Sequence, residues 1–200
     1  AGLARAGDVA RPSGMADETF AKLRGQARLQ LIARELGRDE YELLPLTAEA
    51  GFALLPDPSP GDLFFDFEGN PFWDHEGSLE YLWGQTDVAD EFTVRWATDH
   101  DEERAAFEAF VDEVHARLAV HPNLHVYHYA SYEPSALKRL ASIYDTRVEE
   151  LDDLLRREIF VDLLNVVRQG LRISHPRYGL KNVEQFFTER QDARYRNGGN

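Results

Sequence analysis

Two acidic residues lie two positions apart in an otherwise apolar stretch, which spans residues 61–70 and reads GDLFFDFEGN. The alternation predicts a strand that starts at Gly61, after a proline-rich run, and ends at a Gly-Asn-Pro turn. Residues two apart share one face of a strand, which rises about 3.3 Å per residue. The carboxylates of Asp66 and Glu68 are therefore expected on one side of the strand, about 6.6 Å apart.

A pair of carboxylates on one strand face could hold divalent metal ions. Carboxylates are costly to desolvate without a partner, and Mg²⁺ and Mn²⁺ prefer oxygen ligands. Such a pair can bind one or two ions, which lie about 3.5–4 Å apart in two-metal sites. The alternative is a surface strand with a solvated polar face. Phe64, on the same face, argues against free solvation, but the local chemistry leaves both interpretations open.

Composition limits the classes of function. The chain has 200 residues, a hydrophobic fraction of 43%, no cysteine and a formal net charge of −14. These values fit a globular domain with an appendage, and the lack of cysteine excludes disulfides and cysteine-ligated zinc. The absence of cysteine suits a cytoplasmic protein. No apolar run is long enough to cross a bilayer, so we expect no membrane partner. The negative charge argues against strong, autonomous nucleic-acid binding.

The chain divides into four predicted regions: a flexible tail (1–16), a helical extension from an upstream region (17–55), a linker (56–61) and a main domain (62–200). Apolar spacing predicts a helix over residues 17–36 that ends at Gly37. The main domain should start with the acidic strand and a hairpin over residues 79–86 and 91–98. Further elements are expected in the order helix, strand (124–129), helix (132–144), helix (148–157), short strand, helix (164–169) and helix (179–187). This order predicts a mixed α/β sheet flanked by helices.

The acidic strand and three later motifs together resemble a known family. Asp66-x-Glu68 is similar to the first motif of the DEDD 3′→5′ exonucleases, which have a ribonuclease-H-like fold. The stretch from His128 to Glu133, HYASYE, fits the spacing of the second motif. The segments IFVDL (159–163) and YGLK (178–181) resemble two further family segments. Residues 61–187 are more closely similar to predicted RecB-like nucleases, in which such a domain follows a RecB-type nuclease region.

Two departures from the family pattern affect the expected activity. Glu133 stands where the family usually has Asp. The final Asp of the family, preceded by a Tyr or His, has no good match before Asn200, because Asp192 lies too close and in a polar tail. We therefore expect a fragment whose last metal ligand lies beyond its end, with weak or no activity alone. An alternative from another class is a catalytically incomplete scaffold that docks nuclease or helicase regions.

The resemblance implies a set of site residues and partners. It implies Mg²⁺ or Mn²⁺ held by Asp66, Glu68 and Glu133, which would be the catalytic residues of phosphodiester hydrolysis. His128 and Asp162 are secondary candidates, although a hydrogen-bonded core histidine and a structural acid are the alternatives. Expected substrate contacts are Asn70, Tyr132 and Lys181, with Phe72 and Trp73 as further stacking residues. The position of Lys181 is more typical of a solvated lysine, and Trp73 and Trp96 are more typical of a core. The implied partners are single-stranded or frayed nucleic acid, the RecB-type region and a helicase region.

Overall fold

A computed structural model describes residues 10–75 and 77–187 of the chain. By internal contacts the chain divides into two compact units. The central unit comprises Leu55–Leu163, and the terminal unit comprises the segments before and after it. The linker predicted at residues 56–61 lies at the start of the central unit, whereas residues 164–187 group with the N-terminal segment. The predicted domain boundaries themselves stay a prediction.

Seven strands and six α-helices occur in the described part of the chain. The strands are β1 (Tyr41–Leu43), β2 (Leu63–Asn70), β3 (Leu79–Asp87), β4 (Phe92–Trp96), β5 (Val126–His128), β6 (Phe160–Asp162) and β7 (Leu171–Ile173). The helices are α1 (Asp17–Leu36), α2 (His100–Val120), α3 (Tyr132–Tyr144), α4 (Val148–Arg156), α5 (Leu163–Gly170) and α6 (Leu180–Val183). Short 3₁₀ turns occupy Gly51–Leu54 and Glu184–Phe186.

The central unit contains a five-stranded mixed sheet in the order β4-β3-β2-β5-β6. β2 pairs antiparallel with β3 and parallel with β5, so the acidic strand lies in the middle of the sheet. The predicted mixed α/β sheet with flanking helices is therefore confirmed. The buried Asp62 carboxylate helps to fix this centre, because it accepts hydrogen bonds from the main-chain N–H groups of Ser59 and His125.

One face of the sheet forms the core of the central unit. Leu63, Phe65 and Phe67 of β2 are buried there with Trp83 of β3, against residues of α2, α3 and α4. The Phe65 ring stacks on the Phe110 ring of α2 at a centroid distance of 4.1 Å. Strand alternation therefore directs Phe64, Asp66 and Glu68 to the opposite face of the sheet, as the sequence predicts.

Helix boundaries follow recognisable signals. α2 begins after Asp99, whose side chain accepts a hydrogen bond from the Glu102 main-chain N–H at 2.8 Å, as expected of an N-cap. α1 ends at Gly37, which adopts a left-handed conformation (φ 68°). The predicted range of α1 and that of α3 both agree with the structure.

Two expectations about the fold are wrong. The apolar pattern predicts no strand at residues 41–43 or 171–173, but β1 and β7 pair antiparallel in the terminal unit, beside a cluster of Leu171, Ile173 and Val183. Trp96 is not a core residue, because it lies on an edge strand and is 64% exposed; Trp83 takes the core position instead. Within residues 10–75 and 77–187, no helix is long and apolar enough to cross a membrane.

Candidate active site

Asp66 and Glu68 lie on the solvent-facing side of β2, and both residues are exposed. The face is more open than its aromatic residues suggested, since Phe64 is 42% exposed. The Phe64 ring stacks on the Tyr127 ring of β5 at a centroid distance of 5.1 Å, which covers one side of the strand. The register of β2 against β3 shifts between Glu68 and Gly69, so a bulge interrupts the ladder directly after the second carboxylate, and pairing resumes at Gly69.

Glu133, in the first turn of α3, lies beside Asp66 at the face of β2 that carries the acids. Its side chain is almost entirely buried, and its carboxyl group hydrogen-bonds the carboxyl group of Asp66. His128, the last residue of β5, is also buried, and its Nδ1 lies 3.5 Å from Oε2 of Glu133. Neither of these two atoms has a hydrogen-bond partner. The structure thus brings together Asp66, Glu133 and His128 from three elements that are far apart in sequence. It buries His128 without the Nδ1 hydrogen bond expected of a core histidine.

The carboxyl group of Asp66 has an unusual proton affinity. Although the residue is exposed, neighbouring atoms remove part of the water around its carboxyl group, and this desolvation raises the pKa. The hydrogen bond to Glu133 and the negative charges of Glu133 and Glu68 act in the same direction, and together they raise the pKa of Asp66 to about 6. Three acids therefore crowd one another here, as they do in sites that bind cations or share a proton.

Asp162 shapes the loop that leads into α3. Its Oδ1 accepts a hydrogen bond from the main-chain N–H of Ala130 at 3.0 Å. Ala130 has a φ of 81°, in the left-handed region that residues with a Cβ rarely adopt. Three residues later the chain reaches Glu133. Asp162 therefore stabilises the strained turn that places the Glu133 carboxylate, which matches the structural alternative weighed for it.

A buried polar network behind the site was not predicted. Glu80 of β3 is completely buried, and both of its carboxylate oxygens accept the Tyr132 hydroxyl at 3.0 Å, while Arg139 of α3 forms an ion pair with it at 2.5 Å. Burial raises the pKa of Glu80 despite these partners. Gly69 permits the approach, since a Cβ there would lie 2.0 Å from Oε2 of Glu80. One sequence signal could have pointed to this network: Glu80 is an acid within a strand of the predicted hairpin.

The expected substrate contacts occupy varied positions. Tyr132 is half-exposed, but its hydroxyl is bound to Glu80 and its ring packs edge-on against Phe67 at 5.5 Å. Asn70 closes the turn after β2, because its Oδ1 accepts the Phe72 main-chain N–H at 3.0 Å.

Phe72 is 88% exposed and Trp73 is 41% exposed, so neither is a core residue. Lys181 lies on α6 of the terminal unit. Asp192 lies outside the described residues.

The acidic residues fit a divalent cation, although they are not arranged as a complete metal centre. Among the residues that the structure describes, no three His, Asp or Glu side chains form a group that could hold a metal ion. However, Oε2 of Glu133 is a buried carboxylate oxygen without a partner. It lies beside the Asp66 carboxyl, whose pKa is raised by desolvation and by the hydrogen bond and negative charge of Glu133. A hard cation would supply the missing partner and offset the repulsion. The donor set is therefore suitable, with Glu68 as the next carboxylate on the same face.

Comparisons with known proteins agree with this architecture. A family model of the RNase H superfamily matches residues 63–200, which begin at the first residue of β2. Comparisons with curated proteins and with solved structures gave no match. The match covers more than half of the chain, includes every strand of the five-stranded sheet, and contains Asp66, Glu68 and Glu133. Members of this superfamily are generally nucleases that use divalent metals. The chain belongs to the RNase H superfamily.

Proposed function

We propose that this chain contains a metal-dependent 3′→5′ exonuclease domain that hydrolyses phosphodiester bonds of single-stranded or frayed nucleic acid. The observation that carries the proposal is the meeting of Asp66 and Glu133. These acids come from the middle strand of the sheet and from the start of α3, and the buried Glu133 retains an unpartnered carboxylate oxygen. The exonuclease polarity rests on the similarity of the motifs around Asp66 and Glu133 to those of the DEDD family.

Each residue of the site has a separate role in this proposal. Asp66, Glu68 and Glu133 would hold Mg²⁺ or Mn²⁺. The bound ions would supply an activated water and stabilise the leaving 3′ oxygen. His128 would orient the Glu133 carboxylate, since Nδ1 already lies 3.5 Å from Oε2.

Substrate binding must overcome the charge of the chain. With a net charge of −14, the chain offers little electrostatic attraction to phosphates. Aromatic stacking is less sensitive to charge, because every base has a face that an aromatic ring can cover. The exposed rings of Phe72 and Trp73, on the turn after β2, would stack on terminal bases, and Tyr132 would bind beside them. We place this domain in a larger RecB-like nuclease involved in DNA or RNA processing, in which basic regions would supply most of the affinity.

The test is a nuclease assay on a 5′-labelled single-stranded oligonucleotide with Mn²⁺, for DNA and RNA separately. The proposal predicts a ladder of progressively shorter labelled products and no cleavage of circular single strands. Asp66→Asn and Glu133→Gln should lower the rate at least about a hundredfold, because each removes a ligand of the catalytic ion. Glu149→Gln is the matched control, since Glu149 occupies the first turn of α4 as Glu133 occupies that of α3. Equal rates for Glu133→Gln and Glu149→Gln would contradict the proposal.

A second function, a scaffold without catalysis, is favoured by one observation. The described residues do not provide three metal-binding side chains in one group. In that case Asp66 and Glu133 would be remnants of a site, and the domain would serve to dock a neighbouring nuclease or helicase region. A scaffold would show no Mn²⁺-dependent cleavage, even when joined to its neighbouring regions, and would bind those regions equally well with Glu133→Gln.

A further inference from the structure

The outer strand of the central sheet carries an exposed apolar row. Among the described residues β4 pairs only with β3, so its other edge has no strand beside it. Phe92 is 71% exposed, Val94 38% and Trp96 64%. These three residues alternate along β4 and therefore project from one face. They lie on the face that carries Asp66, because Phe92, Val94 and Trp96 are paired through β3 with Phe64, Asp66 and Glu68 of β2.

The same three residues direct their main-chain groups to the free edge. At the hairpin end, the Asp87 N–H donates to the Glu91 carbonyl, and at the other end the Ala97 N–H donates to the Tyr81 carbonyl. In an antiparallel pair, alternate residues bond the same neighbour. Residues 91, 93, 95 and 97 therefore face β3. The N–H and C=O groups of Phe92, Val94 and Trp96 point outward, on the residues whose side chains are apolar and exposed.

This edge lacks most of the features that commonly prevent edge-to-edge association. Such features include proline, lysine, inward-pointing charges and short strand length. Residues 92–96 read FTVRW and contain neither proline nor lysine. Their single charge, Arg95, does point to the inner face, but there an ion pair with Glu113 at 2.5 Å neutralises it. By contrast, β6 at the opposite edge of the sheet is only three residues long.

We propose that two copies of this chain associate through β4, paired antiparallel about a two-fold axis at Val94. In this register Val94 opposes Val94 of the partner subunit, and Phe92 opposes Trp96 of the partner subunit. Each opposed pair exchanges two main-chain hydrogen bonds, because these are the residues with outward amide groups. Each aromatic pair also forms a cross-strand contact, a favourable combination in sheets. The edge is thus self-complementary in hydrogen bonding and in side-chain pattern, as a two-fold interface requires.

Charge predicts how salt affects this dimer. Each chain carries a net charge of −14, so two copies repel each other. In the proposed register, Asp90 precedes β4 of one subunit and lies near the residues that follow β4 in the other subunit. Those residues include Asp99 of the partner subunit, so two negative charges approach each other. Salt screens such repulsion between exposed charges. Association should therefore strengthen as salt is added, the opposite of an interface that depends on ion pairs. The proposal does not depend on nuclease activity.

A cysteine cross-link tests the register directly, because the chain contains no cysteine. Residues in a hydrogen-bonded antiparallel pair have Cα atoms about 5.5 Å apart, which lies within the range of disulfides. Val94→Cys, incubated with oxidised glutathione, should form a disulfide-linked dimer as glutathione is reduced. Val88→Cys is the control, because Val88 is 54% exposed in the hairpin turn and would lie tens of ångströms from its counterpart. It should cross-link at least about tenfold more slowly.

Sedimentation of the unmodified chain provides the second readout. The weight-average mass should rise toward that of a dimer as concentration increases from micromolar to submillimolar, and more so at high salt. Val94→Lys places like charges at the two-fold axis and should abolish this rise, whereas Val88→Lys should leave it unchanged. Circular dichroism establishes that each variant is folded. Equal cross-linking of Val94→Cys and Val88→Cys, or a monomer at every concentration and salt level, would overturn the proposal.

Discussion

Asp66→Asn should stabilise the metal-free protein at neutral pH. The pKa of Asp66 is raised from 3.8 to about 6 by desolvation of its carboxyl group and by the nearby Glu133 and Glu68. The folded protein holds this proton more tightly than the unfolded chain does, so the proton stabilises the fold. This stabilisation is complete below pH of about 4 and is lost as the pH rises to about 6. Above that pH the ionised carboxylate opposes folding. Asparagine removes the charge, and its amide can still donate a hydrogen bond to the Glu133 carboxylate.

The expected gain is about 1 kcal/mol. The rise of the Asp66 pKa from 3.8 to about 6 corresponds to about 3 kcal/mol of differential free energy between the protonated and ionised forms. Asp66 is exposed, so water and salt screen part of this interaction, and we reduce the figure about threefold. The free energy of unfolding of Asp66→Asn should therefore exceed that of the wild type by about 1 kcal/mol at pH of about 7.5. The difference should vanish at pH of about 4, where the wild-type carboxyl is protonated.

Urea unfolding in EDTA, followed by tryptophan fluorescence, measures this effect. The three tryptophans, Trp73, Trp83 and Trp96, all belong to the central unit, so their fluorescence reports the unit that contains Asp66. Asp57→Asn is the matched control, because it removes the same charge from an exposed position in that unit. If Asp66→Asn is no more stable than Asp57→Asn at neutral pH, the acids are not crowded as described.

Three further predictions concern the surroundings of the site; the first two are measured by urea unfolding and the third by titration with Mn²⁺. Gly69→Ala should cost about 1–3 kcal/mol, because the new Cβ would overlap the buried carboxylate of Glu80, which neighbouring hydrogen bonds hold in place. Arg139→Ala should cost about 3 kcal/mol at neutral pH and less in acid, since it leaves the buried Glu80 carboxylate without a positive charge beside it. The exposed Lys138→Ala should change stability by less than about 0.5 kcal/mol. Asp162→Ala should weaken Mn²⁺ binding more than Asp162→Asn, which keeps an oxygen to accept the loop N–H. Equal effects within either pair would contradict the corresponding contact.

The central part of the site could be predicted from the sequence because its signals are local. The alternation of residues 63–68 establishes a strand and the face of its acids, and the observed burial of Leu63, Phe65 and Phe67 agrees with it. The apolar spacing after Ser131 defines α3 and places Glu133 in its first turn. Periodicity and turn chemistry are sufficient to predict these two elements. Their meeting in space followed from the family resemblance.

Features that depend on contacts distant in sequence could not be predicted. β1 and β7 have three residues each and lie about 130 positions apart, which is too short for a periodic signal and too far for a local one. The pairing of Glu80 with Arg139 joins β3 to α3, so an isolated glutamate gave no sign that it would be buried. The left-handed conformation of Ala130 could not be predicted either. Alanine rarely adopts it unless a contact such as the hydrogen bond to Asp162 stabilises it.

The most direct test of the proposed active site is calorimetric titration of the chain with Mn²⁺. We expect binding to the wild type, and a loss of at least about tenfold in affinity for Glu133→Gln, whose buried carboxylate oxygen lacks another partner. Glu149→Gln, in the first turn of α4, should bind as the wild type does. If Glu133→Gln binds Mn²⁺ as tightly as Glu149→Gln does, the acids of β2 and α3 do not form a metal site.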